Sequence, residues 1–317
     1  MEVVILDSGY KSYDFEKELF EKSGIALKIH PAHTGDPIEK RDFARNADGL
    51  LVRHTAINGI FLSEMKKLKA VVRYGVGYDN IDVEACSRHG VKVANVQGYA
   101  NHSVSDHALA LMFSCIRAMW NTKSQLHGGF GTPPVQDIFE LHDKTLGIIG
   151  IGRIGRELCK KATGLFSKVL ACDPYKPEDY FRKLSALKVS LDELLEKSDV
   201  ISIHCNLTEE TRHLLSRERF LLMNRKPVII NTSRGEVICE EALLEALNSG
   251  KIHSAGIDVY ENEPLTQKQD LLVSHPRTIC TGHYAWYSDK ASSELQRRAA
   301  LNLLNLLKGN AVEDCLN

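Results

Sequence analysis

No CxxC pair occurs anywhere in the chain, although it holds eight cysteines among its 317 residues. The thiols at 86, 115, 159, 172, 205, 239, 280 and 315 are scattered. Several, Cys172 and Cys205 among them, lie inside apolar runs and read as reduced core residues of a cytoplasmic protein. A charge excess is lacking too: 40 Lys plus Arg face 41 Asp plus Glu, a net charge of −1. Such a balance offers no field to draw nucleic acid or an anionic membrane. Long hydrophobic runs are missing as well. Ala108 to Ile116 is the longest uncharged apolar stretch, far short of the ~18 residues that span a bilayer. The opening Met1-Glu-Val-Val-Ile-Leu-Asp7 reads as a strand without a basic leader, so no signal peptide is expected. His102 and His107 stand five apart, which does not set both on one helical face, so no metal site is expected. Repeats and low-complexity segments do not occur.

What is present is an alternation. Short apolar runs at Val3–Leu6, Ala26–Ile29, Gly49–Val52, Ala70–Val72 and Val91–Ala94 are separated by helical patterns at 13–22, 38–46, 59–68 and 83–88. A long helical stretch from Ser103 to about Lys123 and a Gly/Pro-rich loop at Gly128–Pro134 follow. The alternation resumes with strands at Thr145, Lys168–Cys172, Val200–His204, Val228–Asn231 and Ser254–Asp258. Helices are expected at 191–196, 217–223 and 240–249, and a last one over Asp289–Lys308. This rhythm predicts an α/β chain with two doubly wound parallel-sheet domains. The expectation is a dinucleotide-binding Rossmann domain over 99–287, inserted into a flavodoxin-like domain built from 1–98 and 288–317. Ligands of such sheets gather at the carboxyl ends of the strands, so chemistry is expected where the two domains face a common cleft.

The most informative segment is Thr145-Leu-Gly-Ile-Ile-Gly150-Ile-Gly152-Arg-Ile-Gly155, followed by Ala171-Cys-Asp173-Pro. Strand, tight turn, helix and second strand ending in an acid are the requirements of a dinucleotide site. Gly150 permits the turn, Gly152 lets backbone approach a pyrophosphate, and Gly155 lets the helix pack on the sheet. The helix N-terminus offers unpaired N–H groups to the phosphates. Asp173 stands at the position expected of an acid that accepts from a ribose hydroxyl; it would repel a 2′-phosphate, which favours NAD over NADP.

Further blocks carry a resemblance over essentially the full length. They are Tyr74-Gly-Val-Gly-Tyr-Asp-Asn-Ile-Asp82, Asn231-Thr-Ser-Arg-Gly-Glu236, Gly256-Ile-Asp-Val-Tyr-Glu-Asn-Glu-Pro264 and Thr281-Gly-His-Tyr-Ala-Trp-Tyr-Ser288. With the glycine fingerprint, they resemble the D-isomer-specific 2-hydroxyacid dehydrogenase family. The resemblance implies hydride transfer between NAD and a small 2-oxo or 2-hydroxy acid. Reduction of a 2-oxo acid needs a cation for the carboxylate, a polariser for the ketone and an acid for the alkoxide. Arg234, after an apolar strand, suits the first two tasks, because a guanidinium stays charged and forks. His283 suits the third, because histidine can give and recover a proton near neutrality. Glu263 would pair with it and fix its tautomer, as orienting carboxylates do in catalytic triads.

The same resemblance assigns the cofactor to Gly150, Gly152, Arg153, Ile154, Gly155, Asp173, His204, Leu207, Thr211 and Thr232, with Asp258 holding the nicotinamide carboxamide. It assigns the substrate carboxylate to backbone N–H groups of Gly75, Val76 and Gly77. Arg53 (with His54) would reach the substrate's distal end, and Trp286 (with Tyr284) would close over it from the other side. Asn80 and Asp82 are expected to cap the next helix. A homodimer is implied, with the Ser103 helix and the loop after it as interface. Gly282, Gln97 and Ser105-Asp106-His107 depart from the family's usual residues, which bears on substrate range. Ala285-Trp286-Tyr287-Ser288 is similar to the branch that includes the C-terminal-binding-protein corepressors. A dinucleotide-sensing protein with vestigial catalysis is therefore the competing expectation.

Overall fold

The computed structural model describes residues 1–119, 137–267 and 269–317. These fall into two compact units, Met1–Tyr99 with Ser288–Asn317, and Ala100–Tyr287.

The first unit is built on five parallel strands: β1 (Glu2–Ile5), β2 (Ala26–Ile29), β3 (Gly49–Val52), β4 (Ala70–Arg73) and β5 (Lys92–Ala94), in the order β2-β1-β3-β4-β5. That is the flavodoxin-like order. The central strand β3 is buried throughout, as a strand covered on both faces must be, and it reads as a continuous apolar run rather than an alternation. Helix Asp289–Leu307 covers one face of β3, β4 and β5. Leu303 and Leu307 come so close to Gly49 that a Cβ there would lie 3.0 Å from Leu303 Cδ1. Asp82 caps helix Val83–Arg88 by accepting from the Ala85 N–H at 2.8 Å. The expected second cap, Asn80, does not act as one. Its amide donates to the Thr55 carbonyl at 2.8 Å and so ties two loops together.

Seven parallel strands form the sheet of the second unit: β6 (Thr145–Ile149), β7 (Lys168–Cys172), β8 (Leu187–Lys188), β9 (Val200–Ile203), β10 (Val228–Asn231), β11 (Ser254–Ile257) and β12 (Thr278–Cys280). Their order is β12-β11-β10-β9-β6-β7-β8. From the other edge, this is the Rossmann sequence with one strand added. The reversal of direction lies between β6 and β9, and the glycine turn leaves β6 at that point. Helix Arg153–Ala162 buries Gly155, Leu158, Cys159 and Ala162, a stripe of helical period against the sheet. Helix Asn101–Ile116 packs on β10, β11, β12 and that helix, with Val104, Ala108, Leu111, Met112 and Cys115 buried.

Several short elements were not expected from the sequence, among them β8, β12 and the helices Glu178–Arg182 and Asp270–Val273, and one expected helix is shorter than its pattern. The edge strand β12 pairs in parallel with β11, and its three residues carry no periodicity of their own. Helix Gly59–Ser63 stops five residues early. There Met65 and Leu68 donate to carbonyls three residues back, so the chain tightens into single turns that still bury both side chains. The helix expected from Ser103 to about Lys123 runs from Asn101 and ends at Ile116, with Arg117 as its C-cap and Ala118 left-handed; residues 120–123 and the loop Gly128–Pro134 lie outside the described residues. Among the described residues, no helix is long and apolar enough to cross a membrane.

Candidate active site

In the second unit the glycine turn has little freedom. Gly150 has φ +85°, and a Cβ on it would lie 2.6 Å from the Cys205 nitrogen. A Cβ on Gly155 would meet the Gly150 carbonyl oxygen at 2.1 Å. Gly152 faces open space, with nothing within 4 Å of a Cβ. It begins helix Arg153–Ala162 without a side-chain cap. A helix start of this kind leaves first-turn N–H groups, those of Ile154 and Gly155 among them, without an intrahelical carbonyl partner, which suits an anion. Asp173 lies across the turn. Its carboxylate accepts from the Ile151 N–H at 3.1 Å and the Tyr175 N–H at 3.0 Å, which fixes its oxygens at the end of β7.

Two buried polar atoms at this sheet edge lack any hydrogen-bond partner among the described residues: His204 Nδ1 and Thr232 Oγ1. They follow β9 and β10, the strands beyond the switch point. Burial pushes His204 down to about 3, so its ring is neutral, with Nε2 engaged by Ser202 Oγ at 2.8 Å. Orphaned buried groups cost free energy unless something satisfies them. Together with the open Gly152 face and the uncapped helix, they fit a dinucleotide lying along the carboxyl ends of β7, β6, β9 and β10. Leu207 is half-buried against the core beneath. Thr211 fits less directly. Its hydroxyl donates to the Asn206 carbonyl at 2.6 Å and accepts from the Thr208 N–H at 2.7 Å, so it staples its own turn.

Arg234, Glu263 and His283 are brought together by three loops of this unit. Arg234 follows β10 in a turn clamped by Asn231. The Asn231 amide donates to the Arg234 carbonyl at 2.9 Å, while its oxygen accepts from the Ser233 N–H at 3.0 Å. Gly235 is forced by packing, since a Cβ there would lie 1.9 Å from the Tyr260 carbonyl carbon. The close approach sets Arg234 against the loop after β11 that carries Glu263. Glu263 accepts from the Tyr260 N–H at 3.0 Å and from His283 Nδ1 at 2.5 Å. Burial pushes the Glu263 carboxyl up, but the His283 hydrogen bond and charge, the Tyr260 N–H and the Arg234 charge outweigh it and hold it below the usual range. His283 is left-handed, with φ +55°, a conformation that costs a non-glycine residue about 1 kcal/mol or more and marks a residue held in place by its surroundings. With Nδ1 bonded to Glu263, the half-exposed ring keeps Nε2 as its second nitrogen.

Asp258, the expected carboxamide ligand, proves to be buried at 1% exposure. Its Oδ1 accepts from Thr281 Oγ1 at 2.5 Å and the Tyr284 N–H at 3.1 Å, and its Oδ2 from the Ala285 N–H at 2.9 Å. Its carboxylate thus organises the loop that carries His283. Trp286 donates from Nε1 to the His283 carbonyl at 3.1 Å and folds back on this same loop.

The first unit holds the other candidates. The Gly75 N–H does not join the expected carboxylate cradle, because it donates to the Arg73 carbonyl at 2.9 Å. Val76 is 44% exposed, and its carbonyl is held by Asn95 Nδ2 at 2.6 Å. The Arg73 guanidinium lies against the bare face of Gly75, where a Cβ would collide with Nη1 at 1.6 Å. Arg53, one strand over, sits 5.5 Å from the centre of the Tyr10 ring. Burial, then the Arg53 charge, hold His54 down to about 4. Sequence reasoning missed Arg73, whose signal was its place at the end of an apolar strand directly before the glycine loop. It also missed Asp7, which accepts from the backbone N–H groups of Arg53, His54 and Thr55 at 2.7, 2.8 and 3.0 Å. Among the described residues, no group of three or more His, Cys, Asp or Glu side chains is arranged to hold a metal.

Known proteins resemble this chain in sequence and fold. Residues 109–285 match the family model described as D-isomer specific 2-hydroxyacid dehydrogenase, NAD binding domain. The chain is 38% identical over 276 residues to a hydroxypyruvate reductase of Thermotoga maritima, covering 86% of this chain and 88% of that one. It is 34% identical over 275 residues to a D-3-phosphoglycerate dehydrogenase of Methanocaldococcus jannaschii, covering 86% of this chain and 52% of that protein. Among solved structures, a D-lactate dehydrogenase of Aquifex aeolicus complexed with NAD and lactic acid superposes with a TM-score of 0.86. It is 28% identical, with 98% of this chain and 96% of that one covered.

Proposed function

The chain belongs to the D-isomer-specific 2-hydroxyacid dehydrogenase family, and on that premise we propose that it reduces a small 2-oxo acid to the D-2-hydroxy acid with His283 as the proton donor. NAD is its cofactor and supplies the hydride when bound in reduced form. The observation that carries the assignment is the His283–Glu263 pair. With Nδ1–H given to Glu263, the imidazolium has one remaining proton, on Nε2, to pass to the oxygen of the reduced ketone. Glu263, held ionised by its neighbours, stabilises the imidazolium before transfer and keeps the neutral ring in its Nδ1–H tautomer afterwards. Arg234 pairs with the substrate carboxylate and draws charge onto the ketone oxygen, as a preorganised cation does for a developing oxyanion. On the first unit, the Val76 and Gly77 amides are donors of a kind that suits a carboxylate.

The cofactor roles follow the same reading. Gly150, Gly152 and Gly155 with the amides of Arg153 and Ile154 take the pyrophosphate, and Asp173 the ribose. His204, Leu207 and Thr232 line the course beyond the switch point, where His204 Nδ1 and Thr232 Oγ1 have no partner among the described residues. Assembly as a homodimer belongs to the proposal as well, supported by Phe113 and Met119, which stay exposed on and just after the apolar helix Asn101–Ile116. A cytoplasmic setting is proposed on the eight unpaired thiols.

The deciding experiment is NADH oxidation against a panel of 2-oxo acids that includes phosphorylated and dicarboxylic members, with NADPH in parallel and the product resolved on a chiral column. Turnover with NADH to the D product is expected. Tight NADH binding without turnover of any acid would replace the enzyme reading with a dinucleotide sensor. Within the pair, Glu263→Gln keeps an acceptor for Nδ1 and removes the charge. Its kcat is expected to fall about 10²-fold, with KM nearly unchanged in steady-state assays. An equal rise in KM would instead mark Glu263 as a binding group.

A further inference from the structure

We propose that His107 is a positioning residue for the proton-donor loop, acting through Thr281 and Asp258; this rests on the assignment of His283 as the proton donor. His107 lies on helix Asn101–Ile116, which carries none of the catalytic or cofactor groups assigned above. Its Nε2 is 3.0 Å from Thr281 Oγ1 and 3.6 Å from Asp258 Oδ1.

The proton count fixes which way these bonds run. Asp258 is an acceptor, so the single Thr281 hydroxyl proton goes to its Oδ1, at 2.5 Å. Thr281 Oγ1 can then only accept from His107, which must carry its hydrogen on Nε2. Burial holds His107 below the ordinary imidazole value even though the Asp258 charge pulls the other way, in keeping with a neutral Nε2–H ring. The ring edge also packs on Tyr284, with centroids 5.2 Å apart at 74°.

These three partners of His107 all bear on the segment around His283. Thr281 precedes it by two residues, Tyr284 follows it, and the His283 N–H itself donates to the Asp258 carbonyl at 2.8 Å. Glu263 restrains the imidazole, but it cannot restrain the backbone that holds His283 at φ +55°. That backbone is pinned from beneath, through Asp258 and Thr281, and His107 is the side chain that ties the pin to a long helix. A helix-borne anchor is stiffer than a loop-borne one, and small misplacements of a proton donor cost rate steeply.

Two substitutions separate the hydrogen bond from the packing. His107→Phe keeps a ring against Tyr284 and removes the donor, whereas His107→Gln offers an amide N–H near the former Nε2. His107→Phe is expected to lower kcat about tenfold, with the NADH dissociation constant within twofold of wild type and Tm within a few degrees. His107→Gln should recover most of the rate. A His107→Phe enzyme with kcat within twofold of wild type overturns the proposal. So does a His107→Gln enzyme as slow as the phenylalanine variant, and so does a loss of NADH binding that matches the loss of rate. His283→Ala, assayed alongside, tests the underlying assignment separately. If His283→Ala stays active, the proton-donor reading fails; if it is inactive while His107→Phe turns over normally, only the positioning role fails.

Discussion

Arg234→Ala is expected to lose about 10²–10³-fold in kcat/KM, the usual cost of deleting one preorganised oxyanion contact. The loss should fall on kcat as well as KM, because the guanidinium both binds the carboxylate and meets charge that grows during hydride transfer. Arg234→Lys should recover only part of it. An ammonium keeps the charge but cannot fork to two oxygens, and the Asn231 clamp and Gly235 approach leave no room for the backbone to compensate. Guanidinium ion added to the alanine variant should raise its rate, as a small cation fills the vacated volume. Steady-state kinetics decide the matter, and near-normal turnover by the alanine variant is incompatible with the role.

A second large effect is expected far from that chemistry. Lys40 and Asp7, 2% and 0% exposed, form a buried ion pair in the first unit, with Thr55 Oγ1 also donating to Asp7 Oδ1 at 2.6 Å. Breaking such a pair from one side strands a charge and costs about 3–5 kcal/mol. Lys40→Met should come in near the lower figure, because three backbone N–H groups still face Asp7. A fall of roughly 10 °C in Tm follows for a unit of this size. Burial alone would raise the Asp7 carboxyl, but Lys40, Thr55 and the backbone donors bring it from 3.8 to about 2. A depressed carboxyl contributes stability that is complete above the unfolded value and fades as pH falls through the folded one. The gap between wild type and Lys40→Met should therefore be widest at neutral pH and narrow between about pH 4 and pH 2. Calorimetry across that range checks both magnitude and sign. The double variant Asp7→Asn/Lys40→Met should recover at least half of the loss, and a single variant melting within 2 °C of wild type would rule the clamp out.

Much of the fold could be read in advance because parallel sheets write themselves plainly. Strands buried on both faces appear as apolar runs, as Gly49–Val52 and Val228–Asn231 do. The helix Arg153–Ala162 shows its stripe at helical spacing. The glycine turn was legible for the same reason, since each glycine answers a local steric demand. Features made by distant partners were not legible. Nothing near Thr281 in sequence points to His107, which lies 174 positions away. Nothing near Lys40 points to Asp7, 33 positions off. Gly75 was misjudged because its N–H turns back on Arg73, a choice that depends on the guanidinium packed beside it. Asp258 was legible as a special residue through its motif, but its hydrogen bonds run to 281–285 and became visible only once the loop was folded over it.

The division of the chain also sets a timetable for its birth. The first unit takes its sheet from residues up to Tyr99 and its covering helix from Asp289–Leu307. All of Ala100–Tyr287 is translated between them, which at 5–20 residues per second takes roughly 10–40 s. Through that interval the face of β3 and β4 that Leu303 and Leu307 will close stays uncovered on the nascent chain. The second unit, contiguous in sequence, can finish folding first. The newborn protein thus carries a completed dinucleotide fold beside an unfinished sheet, and chaperone demand during synthesis should be greatest in the N-terminal third, whose own residues emerged first.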